Sequence, residues 1–120
     1  MPKRQNLTIR VDAQKAQGEG AYIELQVYSW AERRVLQEKM DKIPLTPVRA
    51  YNLGMTALLV DELKTHLVGW NFVDSKDNPT PVGDLDALID GEIDWVFRQM
   101  QLLIKQALSV GKEVKEEIKN

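Results

Sequence analysis

The segment Leu67-Val-Gly-Trp-Asn-Phe-Val-Asp-Ser-Lys-Asp-Asn-Pro-Thr-Pro81 decides how the rest of the chain is read. It leaves an apolar stretch through Gly69, brings Trp70 and Phe72 toward an interior, and ends in a polar turn bounded by prolines. The spacing predicts that Trp70 to Val73 is short and extended. Asp74 to Pro79 is then a turn, because Asp and Asn hydrogen-bond locally, and Asn78 tolerates the left-handed conformation that such a turn needs. Trp70 and Phe72 are the expected structural anchors.

Upstream, Val48, Tyr51, Met55, Leu58, Leu59, Leu63, Leu67 and Trp70 recur at helical spacing. Thr46 is the expected cap and Pro47 the first helical residue, where a missing amide hydrogen is no loss. Gly54 weakens this helix by about 1 kcal/mol relative to alanine and is a point at which it could divide. Gly69 is the expected stop. Before it, Ser29-Trp30-Ala31-Glu32 forms a capping box opening a helix through Ala31, Val35, Leu36, Met40 and Ile43, which Pro44 ends. Earlier still, Leu7, Ile9 and Val11 alternate with polar residues, as do Tyr22, Leu25 and Val27 less regularly. The intervening AQKAQGEG suits a loop, so the two runs read as an antiparallel hairpin or two strands of a small sheet.

Downstream, Asp84 is the expected cap of a short helix containing Leu85, Leu88 and Ile89. Asp90-Gly91 marks a joint. Ile93, Val96, Phe97, Met100, Leu103, Ile104, Ala107 and Leu108 then make the longest apolar stripe in the chain, which Gly111 is expected to end. The expected fold is α+β, mainly α: an N-terminal antiparallel hairpin or small sheet packed against three to four helices. All of it lies in one domain, 1–120, with 1–6 and 111–120 flexible.

Composition bounds the chemistry. The 120 residues carry 43% hydrophobic and 28% charged side chains and a net charge of −2, a globular balance with no global field for nucleic acid or an anionic membrane. Cysteine is absent, which removes disulfides and thiolate chemistry. The longest apolar run, Ala57 to Val60, is far short of the roughly 20 residues a membrane span needs. Met1 to Arg10 lacks the apolar core of a secretory signal, so a soluble intracellular protein is expected.

No motif for catalysis, cofactor or metal stands out. His66 is the only histidine, and Ser29, Ser75 and Ser109 lie in no nucleophile elbow; between Leu63 and Trp70, His66 reads as a boundary residue rather than a base. Asp90, Glu92 and Asp94 fit the first turn of a helix, where the dipole favours carboxylates. A calcium loop opening at Asp74 would need glycine at Pro79 and glutamate at Leu85. A phosphate loop ending in Gly111-Lys112 would need glycine at Gln106. Neither is present, so no enzyme, cofactor, metal or small-molecule substrate is expected. Ile93, Val96, Phe97, Met100 and Ile104 are the expected surface for a partner or for self-association, since one helix with so broad a stripe carries more apolar surface than a small core covers.

Gly20-Ala-Tyr-Ile-Glu-Leu25, Ser29-Trp-Ala-Glu-Arg33, Leu67-Val-Gly-Trp-Asn-Phe with Asp74, Asn78-Pro79-x-Pro81, and the Leu85 to Leu88 turn together resemble the tail assembly chaperones of long-tailed, siphovirus-type bacteriophages and prophages. The likeness spans roughly Gly20 to Leu103 and departs from the common pattern at Asp77-Asn78, where glycine is frequent. It implies a non-enzymatic late protein that binds the tape measure protein, keeps it soluble and promotes assembly of tail-tube protein around it. It also implies a place in the host cytoplasm and absence from the mature virion, while the breadth of the Ile93 to Leu108 stripe makes a homo-oligomer the expected state. A small head–tail joining or other phage structural or morphogenesis protein, or a small nucleic-acid-binding regulator using Lys3, Arg4 and Arg10, are the alternatives.

Overall fold

The computed structural model describes residues 7–119, with side chains described for 7–109. The chain order is β1 (Thr8–Asp12), a single helical turn α1 (Gln14–Gln17), β2 (Tyr22–Gln26), α2 (Trp30–Asp41), α3 (Val48–His66), β3 (Leu67–Trp70), a 3-10 turn (Leu85–Ala87) and α4 (Asp90–Lys119). The fold is α+β. The strands form one antiparallel sheet in the order β1-β2-β3, with Ile9 opposite Leu25 and Val11 opposite Ile23. The inner face of the sheet lies against the helices, and Ile23, Leu25, Leu36, Phe72, Val96 and Met100 are fully buried between them.

The AQKAQGEG connection is tighter than a plain loop. Asp12 Oδ1 accepts the Gln14 amide at 2.9 Å, which starts α1, and Gly18 and Gly20 take positive φ to return the chain into β2. The capping box of α2 forms in full: Ser29 Oγ accepts the Glu32 amide at 3.2 Å and Glu32 Oε1 accepts the Ser29 amide at 3.0 Å. The helix ends at Asp41, before Pro44. Ile43 is thereby released to pack on α3, where a Cβ at Gly54 would meet its Cγ2 at 2.9 Å. Gly54 therefore admits Ile43, and α3 runs through it undivided. At the start of α3, Pro47 rather than Thr46 occupies the cap position. Its backbone is extended, with no side-chain cap bond, and its carbonyl accepts the Tyr51 amide at 3.1 Å.

The largest departure from the sequence reading lies at Leu67–Trp70, which is a strand and not the end of a helix. Leu25 faces Leu67 while Ile23 faces Trp70, so β3 spends one more residue than β2 across this interval. That irregularity turns Val68 outward and leaves Leu67 and Trp70 both buried. Gly69 is not a helix stop. It lies opposite Glu24, and a Cβ there would come within 3.3 Å of the Glu24 side chain.

The turn is built as expected with one change: Asp77, not Asn78, takes the left-handed conformation, at φ 63°. Asp74 Oδ1 accepts the amides of Lys76 (2.8 Å) and Asn78 (3.0 Å), leaving Asp77 at the point of reversal. Val73 bridges Pro79, and the Phe72 carbonyl accepts both the amide and the hydroxyl of Thr80. Trp70 stacks on Phe72 with centroids 4.9 Å apart and donates its indole N–H to the Thr80 carbonyl at 3.1 Å. Both anchors thus serve the core.

Two side chains that sequence patterning passes over hold this segment to the hairpin. The Gln17 amide accepts the Val73 N–H at 2.9 Å and donates to the Val73 carbonyl at 2.9 Å, while also reaching Glu92 Oε2 at 2.8 Å. Asn71 donates to the Gly20 carbonyl and accepts the Tyr22 amide. Glu92 in turn caps α4 by accepting the Ile89 amide at 2.9 Å. Asp84 makes no cap bond, so Leu85–Ala87 remains a single 3-10 turn. Gly111 does not end α4, which continues to Lys119. The cost of a helical glycine, about 1 kcal/mol, is small among neighbours as helix-favouring as Lys112, Glu113 and Lys115.

Trp70→Ala removes a core aromatic and is expected to cost about 3–5 kcal/mol in urea denaturation. Gln17→Ala leaves both Val73 groups without this partner and should cost about 1–3 kcal/mol. Gln17→Glu, which keeps the size but offers only acceptors to the Val73 carbonyl and to Glu92, is expected to be the worse of the two at neutral pH. If Gln17→Glu matched the parent in urea, the amide clamp would not matter to stability.

Candidate partner-binding furrow

Two assemblies stand out from the fold: a polar cluster, buried at Glu62 and His66 and open to solvent at Lys39 and Asp61, that joins α2, α3 and the end of β2, and a furrow along α4 bordered by α3 and the end of α2.

In the cluster, the Tyr28 ring stacks on His66 with centroids 3.8 Å apart, and its hydroxyl donates to Glu62 Oε1 at 2.8 Å. Lys39 Nζ bridges Glu62 Oε2 at 3.0 Å and Asp61 Oδ2 at 2.9 Å. His66 is 2% exposed, so it is a core residue rather than a boundary one. Its Nδ1 is 2.6 Å from the Gln26 carbonyl, which has no proton to give, so Nδ1 is the donor; Nε2 lies 3.5 Å from Glu32 Oε2. Burial first, then the hydrogen bond to Glu62 and the charges of Glu62 and Glu32, hold the Tyr28 hydroxyl far above its ordinary titration range. Tyr28 is thus a fixed donor. With every named group engaged by another part of the chain, the cluster welds α2 to α3 and to the sheet.

The furrow has a different character. At one end a hollow of about 430 Å³ is lined by Met40 of α2, Met55 of α3, and Gln101, Ile104 and Leu108 of α4, with Lys105 and Ser109 on its border. At the other, a hollow of about 330 Å³ lies among Tyr51, Met55, Leu59, Phe97, Arg98 and Gln101. Met55 and Gln101 line both, so the two hollows adjoin along α4 between Asp94 and Ser109. At 1.5 Å per residue that is roughly 22 Å, about four helical turns. The end lined by Met40, Ile104 and Leu108 is mainly apolar, while the other end is mixed, with Asn52, Thr56 and the Asp94–Arg98 pair (2.9 Å) among its lining residues.

The residues expected to form an interface divide between core and furrow. Val96 and Met100 are fully buried, and Ile104 is 4% exposed, so the chain's own core takes most of that stripe. Met100 is not an accessible interface residue, and a charge placed there would enter the core. Phe97 and Ile104 reach the furrow, while Ile93 packs at the margin of the core. The opposing wall, Met40 and Met55, was legible only as helix-stripe positions, because nothing in a one-dimensional pattern says which edge of a stripe faces a neighbouring helix. Trp30 is 55% exposed with the Arg33 guanidinium 4.1 Å over its ring. Arg10 lies 4.0 Å over Tyr22 and pairs with Glu24 at 3.0 Å, which takes it out of any free basic arm.

Among the described residues no helix is long and apolar enough to cross a membrane, and no group of three or more His, Cys, Asp or Glu side chains is placed to hold a metal ion. Comparison of the chain with protein-family models, with curated proteins and with solved structures finds no match.

Two outcomes test the weld. Tyr28→Phe removes the donor to Glu62 and should cost about 1–3 kcal/mol by denaturation. Lys39, hydrogen-bonded to Asp61, holds that carboxyl below the ordinary value near 3.8. The Asp61 contribution is therefore present above pH 3.8 and is lost as pH falls through the lower, folded value. Lys39→Met should flatten the pH dependence of stability below pH 4, and an unchanged slope there would separate Lys39 from Asp61 in solution.

Proposed function

We propose that this chain is a tail assembly chaperone of a long-tailed phage or prophage. It binds amphipathic helical segments of the tape measure protein, keeps that protein soluble, and promotes assembly of tail-tube protein around it. The observation that carries the reading is the α3–α4 furrow. A furrow of about four turns, apolar and lined by Met40 and Met55 at one end and polar at the other, where the Asp94–Arg98 pair lies, suits an amphipathic helix laid in by its apolar face. Met40 and Met55 adjust to differing side chains at little cost, which suits a partner presenting many non-identical helical segments. The resemblance over Gly20 to Leu103 supplies the class of partner. In this reading the chain is non-enzymatic, works without a cofactor in the host cytoplasm, and leaves before the virion is complete.

Co-expression with the tape measure protein of the same genome is expected to raise that protein's soluble yield. Met55→Glu, at a partly exposed furrow position, should abolish the gain while the variant itself stays folded. Because the contact is apolar, raising salt should weaken it little. Unchanged soluble yield, with both chains confirmed present, would overturn the proposal.

A further inference from the structure

The two edges of the sheet are treated differently. On the β3 side, Val82, Gly83 and Leu85 line a hollow together with Leu67 of the strand and with Val60, Leu63 and Lys64. On the β1 side, nothing among the described residues pairs with the strand. The hydrogen-bonding phase of that edge is fixed by its neighbours: the Leu7 carbonyl accepts the Val27 amide at 2.9 Å and the Ala21 carbonyl accepts the Ala13 amide at 2.8 Å. In an antiparallel ladder such pairs alternate, so residues 7, 9, 11 and 13 face β2. Thr8, Arg10 and Asp12 consequently direct their backbone N–H and C=O groups outward.

Protein edges of this kind are usually blunted by a bulge, a proline or a charge that stands out from the strand. Here β1 pairs in unbroken register and holds no proline. Its one cation, Arg10, is drawn back across the sheet onto Tyr22 and Glu24. The inner face also runs past its cover. Val11 packs on the core, whereas Ile9 is 41% and Leu7 61% exposed on the same side of the strand.

We propose that the open edge of β1 pairs antiparallel with β1 of a second copy, joining two sheets into one six-stranded sheet about a twofold axis at Ile9. The outward backbone groups match an extended strand as occupant, and side-chain complementarity fits a second copy in this register, which pairs described residues from Leu7 to Val11 where an axis at Thr8 pairs only Leu7 to Ile9. With Ile9 opposite Ile9 of the other copy, Leu7 falls opposite Val11, so both exposed apolar residues gain apolar partners. Thr8 falls opposite Arg10, and no like charges face each other directly. Setting the axis at Arg10 instead opposes two guanidiniums, and setting it at Val11 carries Leu7 beyond the partner strand. The contact is separate from the furrow, with which it shares no residue.

The absence of cysteine makes a register-specific test simple. Ile9 and its symmetry mate form a non-hydrogen-bonded pair, where Cα atoms lie about 4.5 Å apart, within the range a disulfide spans. Under mild oxidation, the full chain carrying Ile9→Cys should give a disulfide-linked dimer. Leu7→Cys, whose symmetry mate lies about four residues or 14 Å along the strand, should not. In sedimentation, the parent should pass from monomer to dimer with concentration. Thr8→Pro, which removes an outward N–H and no bond to β2, should stay folded and monomeric, and Met55→Glu should dimerise as the parent does. A parent that remains monomeric at high concentration overturns the proposal and leaves the edge to a foreign strand. So does equal cross-linking at positions 7 and 9, or loss of the dimer in Met55→Glu but not in Thr8→Pro.

Discussion

A single side-chain amide acts as an extra peptide group at the centre of this fold. Gln17, on a helical turn too short to stand alone, meets Val73 with one acceptor and one donor, as a neighbouring strand would. The same amide nitrogen reaches Glu92, which caps α4. The hairpin, the Trp70–Phe72 segment and the start of the longest helix are thus joined through one residue. The arrangement is sensitive because these are backbone groups in a part-buried setting, where losing a partner costs more than the bond itself contributes on folding. It also explains how Phe72 sits wholly inside although the residues after it form a polar turn. The chain is held on both sides of the ring, by Asn71 on Gly20 and Tyr22 and by Gln17 on Val73.

The sequence shows the class of fold, the hairpin and the capping box because each is written in local chemistry: alternation, a serine three residues before a glutamate, a run of turn formers. It misleads at β3 for a physical reason. Buried strand residues normally fall two apart, but the extra residue at Val68 puts Leu67 and Trp70 three apart on the buried side. Three is also a helical interval, so the bulge reproduces in a strand the pattern that signals a helix. Gly54 and Gly69 mislead in a related way. Each is placed by a neighbour distant in sequence, Ile43 and Glu24, and neither by the backbone freedom that makes glycine a stop signal. The Gln17 clamp leaves no pattern at all, since one glutamine among polar loop residues is unremarkable until Val73 is brought beside it.

The polar weld and the furrow divide the labour between α2, α3 and α4. Taking Glu62 out of water is costly, and the Lys39 and Tyr28 bonds offset that cost without making the site strongly stabilising. What the cluster provides is direction: a charged pair with a stacked ring beside it admits few alternative packings of α2 on α3, whereas aliphatic contacts alone admit many. Fixing that angle also fixes the positions of Met40 and Met55, one on each helix, and so the width of the furrow they line with α4.

The apolar stripe of α4 is broader than one contact requires, and its breadth follows from serving two surfaces. Val96, Met100 and Leu103 recur on one side and are buried, while Phe97, Gln101, Ile104 and Leu108 follow about one residue later around the helix and border the furrow. Ile104 belongs to both, buried yet at the furrow floor. An occupant of the furrow would therefore rest on side chains that the core already holds in place, and little ordering would be left for binding to impose. The walls differ, because Met40 and Met55 are only partly buried and unbranched. A rigid floor with adaptable walls would select an apolar helix by shape class rather than by sequence, which is the specificity that the proposed role calls for.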